Sequence, residues 1–162
     1  MEALAQALHL DVAALADDPV GSKLAKFVMR RDPFGFGPDD PVRAIKTRVG
    51  DRWSSLILQA LDAHTMGHAQ LRRVVSALSS EGKISQRMLT LRLRALERDG
   101  IVQRDVTPSV PPRVDYSLTA LGREMLEQLM TLIGWVEANQ AKILEARAKY
   151  VADSEPDIPG RW

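Results

Sequence analysis

A leucine-anchored, cationic helix followed by two strand-forming stretches restricts the fold of this chain more than any other feature. After Ile84, leucines recur at the three-to-four-residue spacing that turns one side of a helix toward a core, at Leu89, Leu93 and Leu96. The opposite side is polar and cationic, and carries Gln86, Arg87, Thr90 and Arg94. Helix, strand, proline-rich tip and returning strand, in this order, predict a winged helix-turn-helix: a mainly α fold with a small β-hairpin as its wing.

The predicted strands of the wing run from Ile101 to Val106 and from Val114 to Leu118. The prolines between them cannot belong to a central strand, so this segment is expected at an exposed tip. Arg113 follows two prolines that hold it extended, and it would lose little conformational entropy on reaching a phosphate or a narrow minor groove. The alternative is that Arg113 and Asp115 are only polar surface residues of a hairpin.

Local charge, rather than the net charge of +1, carries the argument for nucleic acid. From Lys83 to Arg104 there are six cations and two acidic residues, a local charge of +4. An isolated cationic helix is usually only a solvated surface, but the predicted wing beside it favours contact with DNA. Leu91, on the polar side, either touches a thymine methyl group or packs at the edge of the core, and we favour packing. The expected DNA-contacting residues are Ser85, Gln86, Arg87, Thr90, Arg94, Arg104 and Arg113.

Composition excludes several classes of function. The chain has no cysteine, which excludes disulfides, thiolate metal sites and cysteine nucleophiles. His9, His64 and His68 lack partners at metal-ligand spacing, and the sequence has no glycine-rich phosphate loop or nucleophile elbow. We therefore expect no metal, no cofactor and no enzymatic activity. Apolar runs are far shorter than the roughly 18 residues of a membrane span and no leader segment is evident, so the cytoplasm is the expected location.

Apolar periodicity predicts the remaining helices before the cationic one. Two short helices precede a loop over residues 32–41, which holds three prolines and two glycines. Helices over 42–49, 52–61 and 68–78 follow, with Asp51 capping the second and Ser85 capping the cationic helix. Trp53 and Trp135 are interpreted as core or interface residues. The inward side chains of the helix over 68–78 are expected to be Leu71, Val74, Val75 and Leu78.

A last helix is predicted from the cap Thr119 to about Tyr150. Some thirty residues of helix span roughly 45 Å, which is longer than a domain of this size can cover. We therefore expect its apolar stripe to bind a second copy of the chain and to form a homodimer. The stripe includes Met125, Leu129, Leu132, Ile133 and Val136.

These elements predict four regions along the chain. A helical N-terminal extension and loop occupy 1–38, and the winged helix-turn-helix occupies 39–118. The C-terminal dimerisation helix occupies 119–150, and 151–162 form a tail.

Four segments resemble one family of bacterial regulators. In this order between Asp40 and Trp135, they are DPVRAIKTRVGDRWSSLILQAL, LRRVVSAL, ISQRMLTLRLRALERDGIV and VPPRVDYSLTALG. These segments are similar to the HxlR-type winged helix-turn-helix transcriptional regulators. The resemblance implies a homodimer that binds pseudo-palindromic DNA. It also implies that the helix from Ser85 to Asp99 enters the major groove, while the wing contacts the backbone or the minor groove.

The chain departs from this family in three places. The family usually has a cysteine just before the first proline of its domain, and some members sense oxidants or electrophiles through it, whereas this chain has Asp40. The loop SSEGK before Ile84 is longer than the compact turn of relatives, and about the first 38 residues lie outside the resemblance.

We therefore expect a DNA-binding transcriptional regulator, acting as a repressor, whose sensing does not use cysteine. Two versions remain open, one released by a small molecule bound near the dimer helices and one without an effector. The alternative from another class is a DNA-architectural or protein-interaction module that recruits a partner through its N-terminal extension.

Overall fold

The computed structural model of the protein describes residues 6, 11, 18–31, 40–80, 82–110 and 112–153. The predicted helix near the N-terminus and most of the predicted tail lie outside the described residues. The chain divides into two compact units, Met1–Arg48 and Val49–Trp162. The four predicted regions stay predictions.

Two helices are described around the first unit, α1 (Pro19–Arg31) and α2 (Pro41–Gly50). An aspartate begins each of them, because a carboxylate can accept from the free backbone N–H groups of a first turn. The N–H of Gly21 donates to Asp18, and the N–H of Val42 donates to Asp40 Oδ1 at 2.9 Å. The side chain of Asp40 is buried.

Helices and a small sheet alternate in the second unit. Its elements are α3 (Arg52–Ala63), β1 (Met66–Gly67), α4 (His68–Leu78), α5 (Gln86–Arg98), β2 (Val102–Thr107), β3 (Arg113–Leu118), α6 (Ala120–Ala138) and α7 (Gln140–Asp153). The strands form one antiparallel sheet in the order β1-β3-β2, in which Arg104 lies opposite Tyr116 and Thr107 opposite Arg113. The predicted mainly helical winged fold is confirmed.

The core of the second unit lies where α3, α4 and α5 meet. Leucines 89, 93 and 96 of α5 are at most 1% exposed, as their spacing predicted. They pack among side chains that are equally excluded from solvent. These include Ile57 and Leu58 of α3, Leu71 and Val75 of α4, and Ile101 before β2.

Three predicted helix caps are confirmed. Asp51 Oδ2 accepts from the N–H of Ser54 at 2.8 Å, and Ser85 Oγ accepts from the N–H of Met88 at 3.1 Å. Each of these satisfies a backbone donor that the first turn of a helix leaves free. At the start of α6, Thr119 Oγ1 accepts from a backbone N–H in the same way.

The single long C-terminal helix predicted from the sequence is wrong, because Asn139 separates α6 from α7. The backbone of Asn139 has left the helical region, with φ −108° and ψ 8°. Its side-chain Nδ2 donates to the carbonyl of Trp135 at 2.8 Å. Short polar side chains compete in this way with the backbone for helix carbonyls, and so interrupt helices.

Two further features of the structure differ from those that the sequence predicts. The strand β1 has only two residues and pairs with β3, so the sheet has three strands rather than the two of the predicted hairpin. Leu78, predicted to face inward, is 54% exposed, whereas Leu71 and Val75 are buried as predicted. Leu78 is the last residue of α4, where the helix has run past the core.

Gly122, in the first turn of α6, lies against the backbone between α5 and β2. A Cβ atom on Gly122 would come within 2.1 Å of the carbonyl oxygen of Ile101, far inside the van der Waals distance. Thr119 reinforces this approach, since its N–H donates to the same carbonyl at 3.1 Å and its Oγ1 donates to that of Gly100 at 2.7 Å. Only glycine permits α6 to start this close to the wing.

We expect Gly122→Ala to lower the free energy of unfolding by about 1–3 kcal/mol or more, because the added methyl group meets backbone that cannot rotate away. Gly134→Ala is the matched control in the same helix, since a Cβ there has nothing within 4 Å. That change should stabilise the protein by about 0.5–1 kcal/mol through the lower backbone entropy of alanine. Urea unfolding followed by circular dichroism measures both, and equal stabilities for the two variants would contradict the close approach.

Candidate nucleic-acid interface

Helix α5 has one side in the core and one side open to solvent. Gln86, Arg87 and Arg94 are exposed on the open side, opposite the buried leucines. Together with Thr90 and Leu91 they line a shallow cavity of about 550 Å³. The orientation predicted from the leucine spacing is confirmed. A rigid helix therefore presents amide and guanidinium groups, which hydrogen-bond to base edges and phosphates.

Leu91 lies on this open side with 49% of its surface exposed. The interpretation that it packs at the edge of the core is wrong. Two residues advance an α-helix by roughly 200°, so position 91 lies opposite the buried Leu89. An exposed apolar side chain among cations suits contact with a thymine methyl group.

Ion pairing divides the arginines of this region into two groups. Among the residues that the structure describes, Arg87, Arg94 and Arg104 form no ion pair. Their charge therefore remains available to an anionic partner. Three others are each engaged by an aspartate: Arg92 by Asp51 at 2.9 Å, Arg98 by Asp99 at 3.1 Å and Arg113 by Asp115 at 2.7 Å.

Arg92, one of the six cations between Lys83 and Arg104, is a structural residue. Its guanidinium binds Asp51 at the start of α3, and only 29% of the Arg92 side chain and 15% of the Asp51 side chain are exposed. The sequence held a signal for this, since position 92 lies three residues after Leu89 and four before Leu96. That spacing places it beside the buried stripe rather than opposite it.

The two arginines predicted in the wing point to opposite faces of the sheet. Strand residues alternate between faces, and residues paired across an antiparallel ladder share one. Arg104, opposite Tyr116, therefore shares the face that carries the buried Val102 and Leu118. On that face Arg104 lines a cavity of about 330 Å³ whose other lining residues include Thr90 and Arg94 of α5. Arg104 thus joins the open side of α5.

Arg113 lies on the other face of the wing, where Asp105 and Asp115 are directly opposite each other. The ion pair with Asp115 places a cation beside two like charges that would otherwise repel. The structure therefore does not bring Arg113 together with the open side of α5. Its side chain is nevertheless 73% exposed, which leaves the guanidinium within reach of a partner.

A second basic group, absent from the predicted site, lies beside the N-terminal end of α5. Arg72 and Arg73 of α4, with Lys83 of the preceding loop, line a cavity of about 530 Å³ that also includes Ser76 and the capping Ser85. None of the three cations forms an ion pair within the described part of the chain. The sequence signal was present, because Arg72 and Arg73 fall on the outward side of the predicted helix over 68–78.

His68, the first residue of α4, reaches across to α5. Its Nε2 lies 3.1 Å from Thr90 Oγ1, and Thr90 Oγ1 also donates to the carbonyl of Gln86 at 2.9 Å. Burial, and secondarily the charge of Arg72, lower the pKa of His68 below its ordinary value, which favours a neutral ring at pH 7. Among the described residues no cluster of histidine and acidic side chains could hold a metal ion.

The predicted dimerisation stripe divides into buried and exposed parts. Leu129 is only 6% exposed in the isolated chain, so its assignment to a dimer interface is wrong: it packs into the core of its own unit. Met125 and Ile133 are half-buried. Leu132 and Val136 are 51% and 44% exposed. These two, with Leu121 and Trp135, form the exposed part of the stripe.

A helix with a buried leucine side, an unpaired cationic side and an adjoining wing defines the class of winged helix-turn-helix proteins. Comparison with known proteins narrows the class. The family model HxlR-like helix-turn-helix matches residues 48–143, more than half of the chain. The chain belongs to this family, as the sequence resemblance indicated, and is a transcriptional regulator of the helix-turn-helix type.

Relatives and solved structures agree with this membership. YtfH of Escherichia coli, named an HTH-type transcriptional regulator, is 38% identical over 117 residues, which are 72% of this chain and 88% of YtfH. The structure of ytfH from Salmonella typhimurium has a TM-score of 0.55 and 37% identity, covering 70% of this chain and 96% of that one. The redox regulator HypR in its reduced form has a TM-score of 0.53 and 37% identity, covering 65% and 98%. No described helix is long and apolar enough to cross a bilayer.

Proposed function

We propose that this regulator binds pseudo-palindromic DNA as a homodimer and represses transcription, with α5 of each protomer in the major groove. The observation that carries the proposal is that the unpaired arginines of α5 lie on one side of the helix and its buried leucines on the other. Its unpaired guanidinium groups all lie on the side opposite the leucine stripe, while Arg92 and Arg98 are engaged by aspartates. A helix anchored in this way can offer side chains to base edges without losing its own packing.

Different cations would contact the phosphates on the two sides of the major groove. Beside the wing, Arg104 extends the cationic surface of α5, and Arg72, Arg73 and Lys83 lie beside the N-terminal end of that helix. The major groove is about 12 Å wide and is bordered by phosphates on both sides. We therefore assign base contacts to Gln86, Arg87, Thr90 and Arg94, and phosphate contacts to Ser85, Arg104, Arg113 and the α4 group.

The proposed signal does not pass through a thiol of this chain. HypR is a redox regulator whose structures are known in an oxidised and a reduced form. This chain has no cysteine. Asp40, at the position where the resemblance places the family cysteine, is a buried carboxylate that caps α2. Control by a small molecule bound near the dimer helices, or by protein abundance alone, are the two proposed modes.

Arg87→Ala and Arg94→Ala should weaken specific DNA binding without lowering the free energy of unfolding, because neither guanidinium has a partner in the described protein. A guanidinium that reads a guanine carries roughly 1–3 kcal/mol of discrimination against other bases. Fluorescence anisotropy with a duplex selected from a random library measures affinity and base preference. Arg147→Ala is the control, since Arg147 is exposed on α7, outside the open side of α5. Unchanged affinity and base preference in both test variants would refute base reading by α5.

Contacts to phosphate should appear in the salt dependence of binding rather than in base preference. Arg104→Ala and Arg113→Ala should each flatten the logarithmic salt slope by about one ion per protomer. Asp115→Asn, which releases Arg113 from its ion pair, should strengthen binding to any duplex. Anisotropy titrations at several salt concentrations test all three. If Arg113→Ala keeps the salt slope of the wild type and Asp115→Asn does not change the affinity, the face of the wing that carries Arg113 does not contact DNA.

Leu132→Glu combined with Val136→Glu should convert the dimer to monomers, because the charges enter the exposed apolar part of α6. Both side chains are exposed in the isolated protomer, so each protomer should stay folded. Met130→Glu is the control: Met130 is 46% exposed but lies roughly 200° around the helix from Leu132. Light scattering gives the mass of each variant.

Binding to full and half operators completes this test. Two-fold recognition needs the two α5 helices about one helical turn of DNA apart, roughly 34–36 Å. Loss of the dimer should therefore abolish preference for the full operator. A double variant that remains dimeric would move the interface elsewhere, and a monomeric wild type that binds one half-site tightly would overturn the two-fold arrangement.

A further inference from the structure

The contact between His68 and Thr90 joins the two helices of the DNA-binding motif at a residue on the open side of α5. Thr90 lines both the cavity along that side and the cavity between α5 and the wing. His68 begins α4 and is half-buried, and its Nε2 lies 3.1 Å from Thr90 Oγ1. The partners of the Thr90 hydroxyl therefore determine what this side chain can offer to a base.

The hydrogen of the Thr90 hydroxyl is committed to the main chain of α5. A hydroxyl has one hydrogen and two lone pairs, whereas a carbonyl oxygen can only accept. Thr90 Oγ1 and the oxygen of Gln86 are 2.9 Å apart. Two oxygens at that separation attract each other only if a hydrogen lies between them, so Thr90 donates to Gln86.

The contact with His68 must then run in the opposite direction. Because the only hydroxyl hydrogen is engaged, the 3.1 Å contact needs a hydrogen on Nε2 of His68, with one lone pair of Thr90 accepting it. This fixes the tautomer of the neutral ring. One lone pair and the methyl group of Thr90 remain for a partner outside the protein.

We propose that His68 is a positioning residue for base selectivity, because it fixes the hydroxyl of Thr90 as a hydrogen-bond acceptor toward DNA. In the major groove the donors that such an oxygen can meet are the exocyclic amino groups of adenine and cytosine. Guanine N7 and O6 and thymine O4 are acceptors, so they would be repelled by the free lone pair of Thr90 Oγ1. His68 itself contacts no base. The inference rests on the proposed placement of α5 in the major groove.

The test uses the full-length protein and a duplex selected by the wild type from a random library, together with its single-base-pair variants. Thr90→Val removes the hydroxyl and keeps the branched shape, whereas Thr90→Ser keeps the hydroxyl. Thr90→Val should lose about two- to tenfold of preference for adenine or cytosine at one base position of each half-site, the range expected for one hydrogen bond. Thr90→Ser should keep that preference.

Two comparisons then test His68: side chains with and without a hydrogen-bond donor at position 68, and a double variant against Thr90→Val alone. His68→Phe keeps a flat ring without the donor and should lose preference at the same base position, whereas His68→Gln, whose amide can place a donor near Nε2, should retain it. The double variant His68→Phe with Thr90→Val should be no worse than Thr90→Val alone, because the histidine acts only through the hydroxyl. Thermal unfolding confirms that each variant is folded.

The outcomes separate this inference from the proposed function. If Thr90→Val changes no base preference while Arg87→Ala or Arg94→Ala does, α5 still reads DNA and the role of Thr90 and His68 is refuted. If His68→Phe and Thr90→Val have additive effects at different positions, His68 acts independently and the positioning role is refuted. If none of these variants changes base preference, α5 is not the reading element and both proposals fail.

Discussion

The carboxylate of Asp51 joins α3 to α5, the helix that carries the candidate nucleic-acid interface. One of its oxygens accepts from the backbone N–H and the hydroxyl of Ser54, and thereby caps α3. The other oxygen binds the guanidinium of Arg92 on α5 at 2.9 Å. Charge-assisted hydrogen bonds of this kind are shorter and stronger than neutral ones, and both side chains are largely shielded from water here. The orientation of α5 relative to α3 is therefore set by a polar contact as well as by the leucine stripe.

That contact also explains how a chain with a net charge of +1 can present a cationic surface. Aspartates engage Arg92 and Arg113 away from the open side of α5, so the unpaired Arg87 and Arg94 dominate the charge of that side. Counting charges along the sequence located the cationic region but did not distinguish its paired arginines from its unpaired ones. Which arginine meets which aspartate depends on residues that are as far apart as 51 and 92.

The parts of the fold that sequence reasoning found are those determined by local rules. Helix caps at Asp51, Ser85 and Thr119 follow from residue type and position, and the two sides of α5 follow from the spacing of its leucines. The strand β1 escaped detection because two residues carry no periodicity, and only pairing with β3 defines them. The stripe on α6 could be recognised from spacing, but its division into a buried Leu129 and an exposed Leu132 depends on how deeply α3 and the sheet cover the helix.

The contacts of Gly122 and Thr119 would matter for the geometry of the proposed dimer. Through Gly100 and Ile101 they fasten the start of α6 to the chain segment that leaves α5 and enters β2. These contacts tie the position of α6, the helix proposed to meet a second protomer, to that of α5, the helix proposed to enter the groove. If α6 tilted relative to α6 of the second protomer, α5 would move with it. A change of a few degrees between the two protomers of the proposed dimer would alter the separation of their α5 helices, with no rearrangement inside either protomer.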